Sequence, residues 1–247
     1  SGTKDQRTSN LQQALDNPKT KAIFFARGGY GSIQIIDDID FSNFSKNPKW
    51  LVGFSDITTI LMHVYSQYRI NSIHGSMPFN FQKTDPLSIN NIFNLLRGNL
   101  TTIEFSPNKL NKMGVVSGTL IGGNLSVLCS LIGSNSFTKI HDDTILFIED
   151  VDEYIYHIER MMYILSRSGF LSKIKGLIIG KMTNIRDNKI AFGQTAYQAI
   201  NNIAKQYNYP LCFNAPIGHN KKNNPVIIGS KIQLNVNPKF SKIYISE

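Results

Sequence analysis

Short apolar runs, each cut off by glycine or a polar turn, set the strongest limit on how this 247-residue chain can fold. Lys21–Ala26 (KAIFFA), Trp50–Gly53 and Ile70–His74 are three of them. They are too short for helices and too evenly apolar for strands with one solvated face, so they read as strands buried on both sides. Helical patterns at Ser32–Ile39 and Asp56–Tyr68 separate them, and Gln6–Asp16 forms another that stops before Asn17-Pro18. Strand and helix alternating over short turns predict a parallel sheet covered by helices. In such sheets, reactive groups gather beyond the carboxyl ends of the strands. Arg27–Gly31 and Phe54–Asp56 occupy two of those ends.

Beyond Phe81 the pattern loosens into a connection with one helix, Leu87–Leu96, closed by Gly98-Asn99. A second α/β stretch follows. Strands are predicted at Gly114–Ile121, Thr144–Ile148 and Lys175–Gly180, and helices at Leu125–Ile132, Tyr154–Ser166 and Gln194–Tyr207. Gly122-Gly123-Asn124 reads as a turn, and Val226–Ile228, Lys231–Val236 and Lys242–Ile245 as short strands.

Composition narrows the function classes. Hydrophobic residues make up 41% and charged residues 17%, which is globular. The longest apolar runs fall far short of a membrane span. A net charge of +9 is compatible with nucleic acid or a small anionic substrate. The lysines are scattered, however, so no nucleic-acid or membrane partner is expected. Cys129 and Cys212 sit in apolar surroundings without zinc spacing, and are expected to be buried free thiols in a reducing compartment. The chain opens on Ser1-Gly2-Thr3 without an initiator Met, so a preceding segment is expected.

Gly53-Phe54-Ser55-Asp56 is the most suggestive motif. A buried strand feeding a tight turn and a helix would lift the Ser55 hydroxyl out and aim helix N-terminal amides at whatever it attacks. From the turn alone, helix capping by Ser55 or Asp56 is the commoner reading. Ile57 also stands where a G-x-S-x-G elbow has its second glycine. The Arg27-Gly28-Gly29-Tyr30-Gly31 turn offers free amides to an anion but lacks the P-loop and dinucleotide patterns. The acidic run Glu149-Asp150-Val151-Asp152-Glu153 is open to three readings: a metal site, a solvated loop, or a carboxylate that orients a histidine. Among the histidines, His63 and His157 fall within helices and His141 reads as surface. His74 ends a strand near Ser55 and is a rival base. His219 lies in a Gly- and Pro-bounded loop, a setting that often carries catalytic groups.

Six segments in order resemble the LD-carboxypeptidase family, which includes the microcin C immunity peptidases. They are ARGGYGS (26–32), GFSDIT (53–58), IHG (73–75), IGGNL (121–125), LFIEDVDE (146–153) and PIGHN (216–220). The resemblance implies a Ser-His-Glu triad of Ser55, His219 and Glu149, with oxyanion donors in the backbone amides of Gly29 and Asp56, and neither metal nor cofactor. It implies an N-terminal parallel-sheet domain of flavodoxin- or Rossmann-like kind at residues 1–82, with its first strands absent. A linker over 83–112 and a C-terminal α/β domain with a mixed or barrel-like sheet over 113–247 would follow. The implied activity is cytoplasmic hydrolysis of the amide before the terminal D-Ala of murein tetrapeptides, by a homodimer acting on a small peptide. Cleavage of microcin-like aminoacyl nucleotides is the alternative within the same chemistry. A non-enzymatic binding fragment and a metal hydrolase built on the acidic run are the alternatives from other classes.

Overall fold

Thr3 starts the first helix with a reciprocal cap: its hydroxyl accepts from Gln6 N at 3.2 Å while Gln6 Oε1 accepts from Thr3 N at 2.9 Å. In the computed structural model, which describes residues 2–137 and 143–245, this helix is α1 (Lys4–Asp16). His141 lies outside the described residues. The first half continues as β1 (Ala22–Phe24), α2 (Ser32–Ile35), α3 (Ser42–Lys46), β2 (Trp50–Gly53), α4 (Thr58–Tyr68) and β3 (Ser72–His74). As predicted, β1, β2 and β3 run parallel, with Ile23 opposite Leu51 and Val52 opposite Ile73. The helix α3 was not anticipated; five residues are too few to display a period.

Every residue from Thr58 to Tyr65 in α4 is buried, because the helix packs between the first sheet and the second half of the chain. A helix apolar on all sides belongs in a core, and the sequence TTILMHVY reads that way. His63 joins this packing. Its Nδ1 lies 2.9 Å from Ser136 Oγ, and its ring leans on Phe41 at 5.2 Å.

The second half contains α5 (Pro86–Leu96), β4 (Thr102–Phe105), β5 (Gly114–Asn124), α6 (Leu125–Leu131), β6 (Thr144–Val151), α7 (Ile155–Arg167), β7 (Gly176–Thr183) and α8 (Ala196–Ala204). The short strands β8 (Leu211–Cys212), β9 (Val226–Ile228), β10 (Lys231–Val236) and β11 (Ser241–Ile245) complete it. Seven strands form a mixed sheet in the order β4-β11-β10-β5-β6-β7-β8, with parallel pairing from β5 to β8 and antiparallel pairing on the β10 side. β9 pairs instead with β3, antiparallel, in the first sheet. The connection expected to hold one helix therefore also supplies β4, and a strand from late in the chain completes the first sheet.

Two further expectations change. Glu149-Asp150 lies inside β6, not beyond its end. Gly122-Gly123-Asn124 is the end of β5, not a turn. Gly122 has φ +143°, and a Cβ there would lie 1.9 Å from the Phe147 carbonyl oxygen across the β5–β6 pair. The glycine thus serves close approach within a sheet. Gly122→Ala is expected to destabilise the fold by about 3 kcal/mol or more, measured as a drop in chemical-denaturation midpoint; a midpoint equal to that of the parent would contradict this reading.

Candidate active site

Ser55 follows β2 with φ +63°, a left-handed conformation that costs a residue with a side chain about 1–3 kcal/mol. The preceding Phe54 is extended, and Ser55–Ile57 then forms a single 3₁₀ turn leading into α4. Neither residue suggested as a cap acts as one: the residues at both helix starts, Phe54 and Ile57, have no side-chain cap bond. Asp56 turns its carboxylate to a different helix. Its Oδ2 accepts from Ser32 N at 2.9 Å and Ser32 Oγ at 2.7 Å, tying the glycine-rich turn to the serine turn.

Glu149 has no solvent exposure, and its Oε2 lies 2.7 Å from His219 Nδ1. The same oxygen accepts from His219 N at 3.2 Å. Gly218 makes this double contact possible. It has φ +108°, and a Cβ there would stand 2.5 Å from Glu149 Oε2. The loop carrying the histidine is anchored at several other points. Asn223 Oδ1 accepts from Gly218 N at 2.8 Å, Asn223 Nδ2 donates to Ser76 Oγ at 3.2 Å, and Thr183 Oγ1 donates to His219 O at 2.6 Å. The Phe54 ring packs 4.7 Å from the imidazole, so the residue before Ser55 is one wall of the histidine's pocket.

Burial opposes charge on both members of the pair, and their mutual attraction outweighs it. Burial alone would raise the Glu149 carboxyl, but the His219 imidazole holds it below the usual carboxylate range. Burial alone would lower His219, but Glu149 holds it above the usual imidazole value of 6.5. His74 behaves oppositely. It is fully buried between Phe147, at 4.9 Å, and Phe54, at 5.9 Å, and desolvation pushes it down to about 4. It is a core histidine and does not line the serine's cavity.

Ser55, Gly28, Gly29 and His219 line one cavity of about 160 Å³, together with Arg27, Phe54, Met77, Phe79 and Asn80. The structure thus brings Ser55, His219, Glu149 and Gly29 together. Asp56 lines an adjoining groove of about 490 Å³. The acidic run splits up. Glu149 meets the histidine. Asp150 accepts from Asn124 Nδ2 at 2.8 Å, Ser126 N at 2.9 Å and Val151 N at 2.9 Å. Asp152 lies 3.8 Å from Arg186, and Glu153 bonds His157. Among the described residues, no three His, Cys, Asp or Glu side chains converge as a metal site would need.

Residues that sequence reasoning passed over hold the site in place. Thr58 Oγ1 accepts from Asn124 N at 3.1 Å, which docks the start of α4 onto the end of β5. Asn124 also caps α6, accepting from Val127 N at 3.1 Å. A helix beginning at Leu125 was a usable signal for that cap. Asn223 lay hidden in an Asn- and Lys-rich run, where composition masks a single anchoring side chain.

The chain is similar to proteins whose names match this chemistry. It is 28% identical to the murein tetrapeptide carboxypeptidase of Pseudomonas aeruginosa, over 90% of this chain and 75% of that protein. It is 27% identical to the microcin C7 self-immunity protein of Escherichia coli, over 73% of this chain and 62% of that one. The crystal structure of a muramoyltetrapeptide carboxypeptidase from Oxalobacter formigenes superposes with a TM-score of 0.91 at 26% identity, covering 100% of this chain and 86% of the other. The descriptions of two family domains match residues 1–75, as the LD-carboxypeptidase N-terminal domain, and residues 117–234, as its C-terminal domain. These two matches, the first spanning the strained serine and the second the buried Glu-His pair, show that the chain belongs to the LD-carboxypeptidase family.

Proposed function

We propose that this serine carboxypeptidase releases the terminal D-Ala of murein tetrapeptides, with Ser55 as nucleophile, His219 as general base and Glu149 as the carboxylate that orients it. The observation that carries this reading is the Glu149–His219 bond of 2.7 Å behind a cavity that Ser55 also lines. His219 Nδ1 is committed to Glu149, so Nε2 is the atom left to take the Ser55 proton. Ser55 Oγ then attacks the amide carbonyl. Backbone amides of Gly29 and Asp56 donate to the oxygen that becomes negative, and the α4 N-terminus adds its dipole. His219 returns the proton to the D-Ala nitrogen as the bond breaks, and water releases the acyl chain by the same steps. The setting we propose is cytoplasmic recycling of wall fragments, compatible with the free thiols at Cys129 and Cys212.

A second reading draws on Phe79, 68% exposed at the cavity. An aminoacyl nucleotide would place its base against that ring. An aminoacyl nucleotide amide cleaved with a higher kcat/KM than the tetrapeptide would move the assignment to that substrate.

Ser55→Ala is expected to lower D-Ala release by about 10⁴-fold or more, read by chromatography of the products. Unchanged release would end the assignment. A pH profile tests the pair. His219 must be neutral to accept a proton, and Glu149 raises its pKa, so the acidic limb of kcat/KM should lie above 6.5. Glu149→Gln removes the strongest attraction for the imidazolium and leaves burial, which favours neutral imidazole, opposed only by the weaker fields of Asp150 and Asp152. The limb should then shift to lower pH while kcat falls by about 10⁴. A limb that stays in place would show that Glu149 does not act on the titrating base.

A further inference from the structure

The cavity holding Ser55 and His219 contains one more ionic group, Arg27, and no carboxylate lines it. Arg27 lies in the loop between β1 and α2 and is exposed. Its Nε donates to Gly28 O at 3.3 Å, and its Cζ lies 5.2 Å from the centroid of the Phe79 ring. Phe79 N in turn donates to Ala26 O at 3.1 Å, so the loops bearing Arg27 and Phe79 are joined. The guanidinium is therefore braced on one face, on an exposed side chain. No carboxylate of the described residues pairs with it. Nη2 stands 3.8 Å from the position of a Cβ built on Gly29. Gly28, between the two, packs against the nucleophile: a Cβ there would meet the Ser55 Cβ at 3.0 Å.

A peptidase that removes only the last residue must sense the chain end, and the chemical mark of that end is a carboxylate. The guanidinium is a planar fork of donors that matches a carboxylate in two parallel bonds, a geometry an ammonium lacks. We propose that Arg27 binds the terminal carboxylate of the peptide substrate and so restricts Ser55 to the amide one residue from the end. The inference rests on the carboxypeptidase reading above and assigns the specificity of that site to one side chain.

The test pairs a tetrapeptide ending in D-Ala with the same peptide ending in D-Ala carboxamide. The parent enzyme is expected to prefer the free acid by roughly 10- to 100-fold in kcat/KM, mostly through KM. Arg27→Ala should lose that preference: the ratio of its kcat/KM values on acid and amide falls to about one. Arg27→Lys should keep only part of the preference. The proposal is overturned by a parent enzyme that treats acid and amide alike, by an Arg27→Ala variant that keeps the parent's ratio, or by one that loses both substrates together. A parent enzyme that cleaves neither peptide overturns the carboxypeptidase reading and this inference with it, which separates the two kinds of failure.

Discussion

A carboxylate withdrawn entirely from water is tolerated in a folded protein only where charge and donors replace the water it has lost. Glu149 makes that demand from the interior of β6, and His219 meets it at Oε2 with both its backbone and its ring, from 70 residues further along the chain. The loop that delivers the histidine must therefore close directly over β6. Its course follows from that requirement: a glycine where a side chain would collide, an asparagine reaching back to Ser76, and a threonine of β7 holding the histidine carbonyl. Opposite, α4 is seated on the end of β5 through Thr58 and Asn124, which fixes where the preceding Ser55 stands.

The neighbouring carboxylates of β6 show how a strand separates two charges that sequence places side by side. Successive side chains point to opposite faces. Glu149 faces the histidine loop and Asp150 faces the start of α6. Burial and the charge on Glu149 push the Asp150 carboxyl up to about 7, opposed by three hydrogen bonds. Asp150 also adds to the negative field that favours protonated His219.

The alternation of strands and helices was legible because each buried run announces itself by composition and each turn by glycine. The serine turn was legible as a turn, yet its chemistry was not: a left-handed φ and the absence of a cap bond cannot be read from Gly53–Asp56 alone. Its meaning came from the order of six motifs. The acidic run was harder. Carboxylates look like surface in a sequence when their partners, His219 and Asn124, lie 70 and 26 residues away. Gly122-Gly123 looked like a turn because glycine has two uses, and the second, room for a neighbouring strand or helix, depends on tertiary contacts. No local pattern could place β9 beside β3, since pairing of distant strands is decided by the whole fold.

That distant pairing has a mechanical meaning. β9 lies against β3 by three residue pairs, and the turn after it is bonded to β5 in both directions, Leu120 N to Ser230 O at 2.9 Å and Gly229 N to Leu120 O at 2.7 Å. The late segment works as a clasp that locks the serine-bearing half to the histidine-bearing half. A jaw-like swing of one half from the other would have to break either the β3–β9 ladder or the two bonds to Leu120. Ser55 and His219, one on each half, therefore owe their spacing to backbone pairing as well as to side-chain contacts.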